Sequence, residues 1–331
     1  MKKLVTALYG VFSLVISIAQ TTTELQETAR NFMRQGDYAN AIIVLNRAIE
    51  HDPQNILLAK DLALSQYYAG NYNKALETIK PVLEREEADD QAFQVAGNIY
   101  RQLGMNKDCE KMYRKALKRF TNSGALYNDL GELQWAQKNK EAIKSWEKGI
   151  EAEPSFSKNY YNASRYLINT TDYIWALLYA ETFLNMEPFS NKTPEIKQLL
   201  LDGYKRLFMR ADITKSSQDK NPFIQAFLTT MNKQSATMAG GVNAESLAMA
   251  RTRFILDWYS SGTLPQYRLF DYQRQLLKEG LFDAYNQWIF GAVQNLGTYQ
   301  NWCVIHNEEC KNLYNFQKSR IYKVPEGQYY H

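Results

Sequence analysis

A short stretch near the carboxyl end carries the residue types that bind metals. In CVIHNEEC, Cys303, His306 and Cys310 follow one another at intervals of three and four residues, on one face of a helix. Thiolates and imidazoles are the ligands that zinc prefers, but a structural zinc site takes four ligands and this set supplies three. Packing of these side chains in a core is the stronger interpretation, so we predict no metal site and no cofactor.

The same cysteines are candidates for a disulfide. Seven residues along one continuous helix separate two Cα atoms by roughly 10 Å, whereas a disulfide needs less than about 7 Å. Cys303 and Cys310 can therefore pair only if the helix breaks between them, and otherwise they are free thiols. With Cys109 as the only other cysteine, the chain has too few cysteines for a disulfide scaffold.

Two carboxylates lie four positions apart in the stretch KEGLFD. Glu279 and Asp283 could act as the acid and the base of glycoside cleavage. Helical spacing does not imply a substrate cleft, however. Gly280 can equally end one helix and leave Asp283 in the first turn of the next, where the helix dipole favours a carboxylate. The chain has only three histidines and no phosphate loop, G-x-S-x-G or H-E-x-x-H pattern. We predict no catalytic residues and a protein that is not an enzyme.

Charge and composition narrow the class of partner. The chain has 331 residues, is 45% hydrophobic, and carries 39 basic against 35 acidic side chains, a net charge of +4. A nucleic-acid-binding protein would normally show a basic stripe or a strongly basic balance. No run of like charge is longer than two residues, and the most acidic short stretch, EREE at residues 84–87, is interrupted by Arg85. We therefore predict a protein partner and no nucleic acid.

The amino-terminal segment resembles an export signal. Lys2 and Lys3 precede an apolar stretch from residue 4 to residue 18, and Ser17 and Ala19 are the small residues of a cleavage site. A retained anchor is the alternative, but about 15 apolar residues span only ~22 Å of a ~30 Å hydrocarbon core. We predict cleavage after Ala19, no membrane span in the mature chain, and a periplasmic or secreted location.

A repeated sequence pattern covers residues 22–190. A small residue recurs at intervals of 34, 34, 33 and 34 positions, and a large apolar residue follows four positions later in most units. The small residues are Ala41, Ala75, Cys109, Ala142 and Ala176, and the later residues are Leu45, Ile79, Tyr113, Trp146 and Ala180. Antiparallel helices approach closely only where side chains are small. The pattern therefore predicts successive helical hairpins, which must stack because one hairpin cannot bury its apolar face alone.

The turns and ends of these units have their own signals. Gly36, Gly70 and Gly104 lie between the two helices of the first three hairpins, where a left-handed backbone costs glycine little. Tyr38 and Tyr72, two residues after the first two of these glycines, and Tyr173 in the fifth unit can cover the turn. Prolines end three of the five units, since proline cannot continue a helix.

This repeated pattern resembles the tetratricopeptide repeat, whose period is 34 residues. The resemblance implies an all-α superhelix of five hairpins from Thr22 to Ser190, followed by a capping helix from Thr193. The units depart from the family in lacking its tryptophan near the start. In such arrays the first helix of each hairpin lines a concave groove that binds a peptide or protein. The resemblance implies that the groove here is lined by Gln26, Arg30, Arg34, Lys60, Tyr67, Gln94, Asn98, Arg101, Asn128, Trp135, Tyr161, Asn162 and Arg165.

The last third of the chain has no repeat. We predict a linker at 213–222, a smaller helical carboxyl-terminal domain at 223–318 and a loose tail at 319–331, after a signal peptide at 1–19 and the array with its cap at 20–212. Helices are expected near 223–233, 244–260, 267–278, 281–292 and 296–316. Nineteen aromatic residues among the last 109 indicate a packed unit. Arg253 and Asp257, at i and i+4, are expected to form an ion pair.

Together these features predict a non-enzymatic scaffold or adaptor of the bacterial cell envelope, which binds a peptide or protein partner in its groove. Two alternatives stay open. One is an envelope hydrolase of cell-wall polymer or peptide, with catalysis in the carboxyl-terminal domain. The other is self-association through that aromatic domain.

Overall fold

The computed structural model describes residues 21–217, 220–260 and 262–328. Over these ranges the protein is all-helical, as predicted, and has no strand. The chain divides into two compact units, here called unit 1 (Met1–Gly104) and unit 2 (Met105–His331). The predicted signal peptide lies outside the described residues. No helix in the described part of the chain is long and apolar enough to cross a membrane.

Unit 1 consists of consecutive helices that pack in order along the chain. They are α1 (Thr22–Arg34), α2 (Tyr38–His51), α3 (Ile56–Tyr68), α4 (Tyr72–Leu83) and α5 (Asp90–Gln102). Helix α1 pairs with α2, and α3 pairs with α4. A capping box starts the first helix, because the Thr21 hydroxyl accepts from the Glu24 amide at 3.2 Å while the Glu24 carboxylate accepts from the Thr21 amide at 2.8 Å.

The small residues predicted at the helix crossings of unit 1 are fully buried. Ala41, Ala75 and, on the first helices, Ala29 and Ala63 have no exposed surface. Gly36 and Gly70 have φ angles of +77° and +79°, which confirms the left-handed turns. Tyr38, the tyrosine after the first turn, stacks its ring on that of Tyr68 of α3, with centroids 5.0 Å apart.

Unit 2 begins with the rest of the repeat region. Its helices are α6 (Asn106–Arg119), α7 (Gly124–Ala136), α8 (Ala142–Ala152), α9 (Ser157–Leu167), α10 (Tyr173–Met186) and α11 (Thr193–Phe208). Helix α7 pairs with α8 and α9 with α10, and α11 packs on α10 where the capping helix was predicted. The close approach of α7 and α8 requires glycine, since a Cβ on Gly131 would lie 2.4 Å from Trp146 Nε1.

The turn between α7 and α8 covers residues 137–141, two more than the turns within the hairpins of unit 1, and has no glycine. Lys138 instead takes the left-handed conformation, with a φ of 58°. The Asn139 amide donates to the Gln134 carbonyl at 2.9 Å, as the Asn71 amide does to Gln66 at 2.8 Å in the glycine-containing turn of unit 1. This turn therefore keeps the backbone hydrogen bond of the other turn, and Lys138 adopts the left-handed conformation that glycine adopts there.

The remaining helices of unit 2 differ from the prediction in two places. They are α12 (Pro222–Asn232), α13 (Ala244–Ser260), α14 (Arg268–Lys278), α15 (Phe282–Asn286), a π-helical turn (Gln287–Gly291), α16 (Ala292–Gln294), α17 (Leu296–Ile305) and α18 (Asn307–Ser319). Short 3-10 turns cover Ile213–Ser216 and Ser235–Met238. The expected helix at 296–316 is two helices, because the backbone leaves helical geometry at His306 (φ −104°, ψ 45°). The expected helix at 281–292 contains the π turn.

One apolar core in unit 2 includes residues from the repeat region and from the carboxyl-terminal helices. Ile213, in the predicted linker, has no exposed surface. The Phe223 ring stacks on Trp175 of α10 at 5.7 Å. In the segment expected to be loose, Tyr322 is buried, with its ring 5.1 Å from that of Tyr272. The repeat helices and the carboxyl-terminal helices of unit 2 therefore pack together around one hydrophobic core.

Candidate partner-binding site

In unit 1, two of the predicted groove residues meet one carboxylate on the next first helix. Arg30 Nε lies 2.8 Å from Asp61 Oδ2, and Gln26 Nε2 donates to the same oxygen at 2.9 Å. Arg30 remains about half exposed, whereas Asp61 is mostly covered. Asp61 therefore links α1 to α3, and the Arg30 charge is partly neutralised within the protein.

The next predicted cation is engaged in the same way. Lys60 Nζ lies 2.5 Å from Asp89 Oδ2 and 3.4 Å from Gln91 Oε1, and the lysine is buried. Asp89 is also the N-cap of α5, where its carboxylate accepts from the Ala92 amide at 3.0 Å. Lys60 thus links α3 to the start of α5 and does not project toward a partner.

The other predicted residues of unit 1 stay nearer to solvent. The Tyr67 ring packs against Tyr68 and Tyr72, with centroids 5.2 and 5.7 Å away. Arg34 at the end of α1 donates to Asn31. The three residues on α5 are Gln94, Asn98 and Arg101, of which Asn98 is exposed and the other two are partly exposed.

In unit 2, the two predicted asparagines bond to each other. Asn162 Nδ2 donates to Asn128 Oδ1 at 2.8 Å, and both side chains are buried. Each amide nitrogen also lies 3.3 Å from Glu132 Oε1. Because these groups are already enclosed and paired, they fix α7 against α9 and are not open to a partner.

The remaining predicted residues of unit 2 come together around one guanidinium. Arg165 Nε lies 2.7 Å from Glu195 Oε1, and its guanidinium carbon lies 5.1 Å from the ring centres of both Trp135 and Tyr161. The Tyr161 hydroxyl donates to Glu195 Oε2 at 2.9 Å, and Lys192 Nζ lies 4.0 Å from the Tyr161 ring. We call these five residues the Arg165 cluster.

The electrostatics of this cluster follow from partial burial. Burial raises the pKa of Tyr161, and its hydrogen bond to Glu195 raises the pKa further, while the Arg165 charge opposes both. The tyrosine therefore stays a hydroxyl donor at neutral pH. The Arg165 side chain keeps 34% of its surface exposed, so the cluster presents a held cation to solvent.

The sequence did not identify the carboxylates that hold these groups. Arg30 pairs 31 residues ahead, Lys60 pairs 29 residues ahead, and the hydrogen bond from Tyr161 to Glu195 spans 34 residues. Each separation is close to one repeat. A carboxylate about one period after a basic or polar residue on a first helix is the signal that could have found them.

The residues considered for catalysis have structural roles. Glu279 Oε1 accepts from Gln275 Nε2 at 2.9 Å and from Arg320 Nη1 at 3.2 Å. Gly280 has a φ of +70° and separates α14 from α15, so Asp283 lies in the first turn of α15. The two carboxylates thus flank a helix break. Asp257 Oδ2 accepts from Gln234 Nε2 at 2.7 Å.

The cysteines considered as metal ligands form a disulfide. Cys303 and Cys310 are bonded, with Cα atoms 5.8 Å apart, because the helix breaks at His306 between them. His306 Nδ1 lies 2.7 Å from Glu309 Oε2, and its ring stacks on Trp302 at 4.2 Å. Among the residues that the structure describes, no group of three or more histidines, cysteines and carboxylates could hold a metal ion.

Comparisons with known proteins agree with the repeat. Models of the tetratricopeptide repeat family match residues 32–99 and 90–123. Similar solved structures include a tetratricopeptide repeat protein from Parabacteroides merdae (16% identity, TM-score 0.44, covering 78% of this chain and 97% of that one). Another is MamA from Desulfovibrio magneticus (13% identity, TM-score 0.42, covering 51% and 97%). A third is human IFIT1 with m7Gppp-AAAA (16% identity, TM-score 0.41, covering 86% of this chain and 64% of that one). No curated protein matches the chain.

Consecutive helical hairpins with small residues at their crossings define a helical repeat protein. The family models identify the repeat over residues 32–123 as the tetratricopeptide repeat. Repeats of this kind generally mediate contacts between proteins.

Proposed function

We propose that the protein is a non-enzymatic scaffold of the bacterial cell envelope that binds a peptide or protein partner on the first helices of its hairpins. The Arg165 cluster is the observation that supports this proposal most directly. A guanidinium fixed by a carboxylate and two aromatic rings loses little conformational entropy when it binds. Arginine and aromatic residues are also the side chains that contribute most to protein interfaces.

The geometry of the cluster favours a partner that offers a carbonyl or carboxylate oxygen beside an apolar side chain. Arg165 has donors beyond the nitrogen that Glu195 engages, since a guanidinium carries five N–H groups. The partly exposed Trp135 ring beside it supplies apolar contact area. The buried amides Asn128 and Asn162 contribute rigidity and no direct contact.

Pull-down and crosslinking from a cell-envelope extract test this proposal. Arg165→Ala removes the exposed cation, and Arg253→Ala removes an exposed arginine from α13 as the matched control. We expect partners captured by the unaltered protein to be lost with the first variant and kept with the second. Circular dichroism of each variant confirms that the helices remain. Identical captured partners for Arg165→Ala would overturn the assignment.

The proposed envelope location of the protein and its proposed lack of catalytic activity are tested separately. Fractionation of cells that express the full chain should place it in the envelope, and sequencing of the mature protein should begin at Gln20. Incubation with cell-wall polymer or peptides should release no product. Product release that is abolished by Glu279→Gln or Asp283→Asn would instead favour the hydrolase.

A further inference from the structure

Helices α6 and α8 of unit 2 carry a concentration of positive charge. Five cations lie along one exposed face of α6 with Glu110, and they are Lys107, Lys111, Arg114, Lys115 and Lys118. Arg114 and Lys118 also line a cleft of about 380 Å³, together with Lys144 and Lys148 of α8. We call this cleft, between α6, α7 and α8, the basic cleft.

The residues that line this surface carry a net positive charge as large as that of the whole chain. The α6 face and the basic cleft together contain seven cations and two carboxylates, a net charge of +5, against +4 for all 331 residues. The carboxylates Glu110 and Glu141 pair with Arg114 and Lys144, at 2.7 and 2.8 Å. Exposed pairs of this kind are weak, and Lys118 and Lys148 have no ion-pair partner within the described residues.

The floor of the basic cleft combines apolar and polar side chains. Leu117 of α6 and Tyr127 and Leu130 of α7 supply apolar surface, and the buried Gln134 and Ser145, whose side chains hydrogen-bond to each other at 2.7 Å, line the cleft as well. Burial raises the pKa of Tyr127, and the charge of Glu151 adds to that effect, so the ring stays neutral. A cationic rim over a partly apolar floor suits a ligand that combines negative charge with an apolar side chain.

We propose that the basic cleft binds an acidic peptide segment of a partner protein. Carboxylates of the segment pair with Lys118, Lys144 and Lys148, and one apolar side chain of the segment packs on the floor. A concave site of about 380 Å³ accommodates one or two side chains. An anionic lipid surface would not fill that floor, and a nucleic acid would need a longer basic track and stacking platforms.

Fluorescence anisotropy with three labelled peptides and the full chain tests this inference. The first peptide is a Glu-rich 12-mer with one central leucine, the second replaces leucine with glycine, and the third replaces every glutamate with glutamine. We expect the first to bind most tightly, the second more weakly, and the third not at all. Because the contacts are between charges near the surface, affinity should fall as salt rises.

Variants assign the binding to the cleft. Lys118→Glu with Lys148→Glu reverses two rim charges, and Lys205→Glu with Lys278→Glu makes the same change of net charge at exposed positions on α11 and α14. The rim variant should lose at least about tenfold in affinity, and the control should change less than about twofold, because charge at a contact outweighs charge at a distance. Circular dichroism verifies folding.

Three results would overturn the inference. They are equal losses in the two variants, equal binding of the glutamate and glutamine peptides, and tighter binding to phosphatidylglycerol vesicles or single-stranded DNA than to the acidic peptide. Because these residues lie outside the Arg165 cluster, failure here leaves the proposed function intact.

Discussion

Arg251 of α13 forms an ion pair with Glu181 of α10 inside unit 2, where their side chains keep 1% and 2% of their surface exposed. The same Glu181 oxygen accepts from Gln273 Nε2 at 2.7 Å and lies 2.9 Å from the Tyr285 hydroxyl, while Arg251 also donates to Asn286. Burial lowers the pKa of Arg251, but the charge of Glu181 raises it and the net effect is upward. Four helices therefore meet at one buried carboxylate.

Removal of that carboxylate should strongly destabilise the protein. Glu181→Gln leaves the Arg251 charge buried without its counter-ion, which costs about 3–5 kcal/mol in buried pairs. Urea unfolding monitored by circular dichroism measures the free energy of unfolding. Addition of Arg251→Met should recover much of the loss, because an uncharged side chain needs no partner. Glu141→Gln, which removes an exposed pair with Lys144, should leave stability unchanged. A small effect of Glu181→Gln would show that the pair contributes little.

A buried lysine should make stability depend on pH. Lys197 of α11 is 7% exposed, with Nζ 3.8 Å from the Trp288 ring centre, and burial lowers its pKa from 10.5 to about 7. Between those values the unfolded chain binds a proton that the folded protein lacks, so stability should rise with pH. The slope is at most about 1.4 kcal/mol per pH unit, and the Trp288 face, which favours the cation, reduces it.

Lys197→Met is the comparison for that effect. Urea unfolding at pH 7 and pH 9 should show a smaller rise in stability for the variant than for the unaltered protein. The variant should also be more stable at pH 7, since its side chain carries no charge to bury. Parallel pH dependence of the two proteins would contradict this assignment.

The crossing of α7 and α8 should not tolerate a methyl group. In Gly131→Ala the added carbon would lie 2.4 Å from Trp146 Nε1, and overpacking of this kind costs about 1–3 kcal/mol. Gly297→Ala is the matched control, because it is also helical but its nearest neighbour is Asn295 Oδ1 at 3.5 Å. Thermal unfolding should show a lower Tm for the first variant and an equal or higher Tm for the second, since alanine favours helices.

The glycine-free turn should be improved by glycine. Lys138 has a φ of 58°, a conformation that costs an L-residue about 1 kcal/mol more than glycine. Lys138→Gly should therefore raise the Tm. Lys140→Gly, two residues later and outside the left-handed region, should not. If both changes lower the Tm, Lys138 is not strained.

The features that sequence predicted well are those with a local steric cause. Ala41 and Ala75 must be small because two helices touch there, and Gly36 and Gly70 must be glycine-like because the turn is left-handed. Both constraints repeat with the period of the hairpin, so the repeat region could be recognised without knowing its packing.

The features that it missed depend on distant partners. Arg251 and Glu181 are 70 residues apart, and each resembles a surface charge when read alone. The groove residues were placed on first helices, but Asp61 and Glu195, which engage Arg30 and Arg165, were not connected to them. The basic cleft was hidden because its lysines are spread at helical spacing among acidic and apolar residues.

The burial of helix α10 limits how copies of this protein can associate. Thirteen of its fourteen residues are buried, because α9, α11 and α14 surround it. Repeat stacks lengthen when a bare terminal hairpin accepts another unit, and this hairpin presents no such face. Filaments that grow by addition of copies onto α10 are therefore excluded, and any homo-oligomer must form through other surfaces.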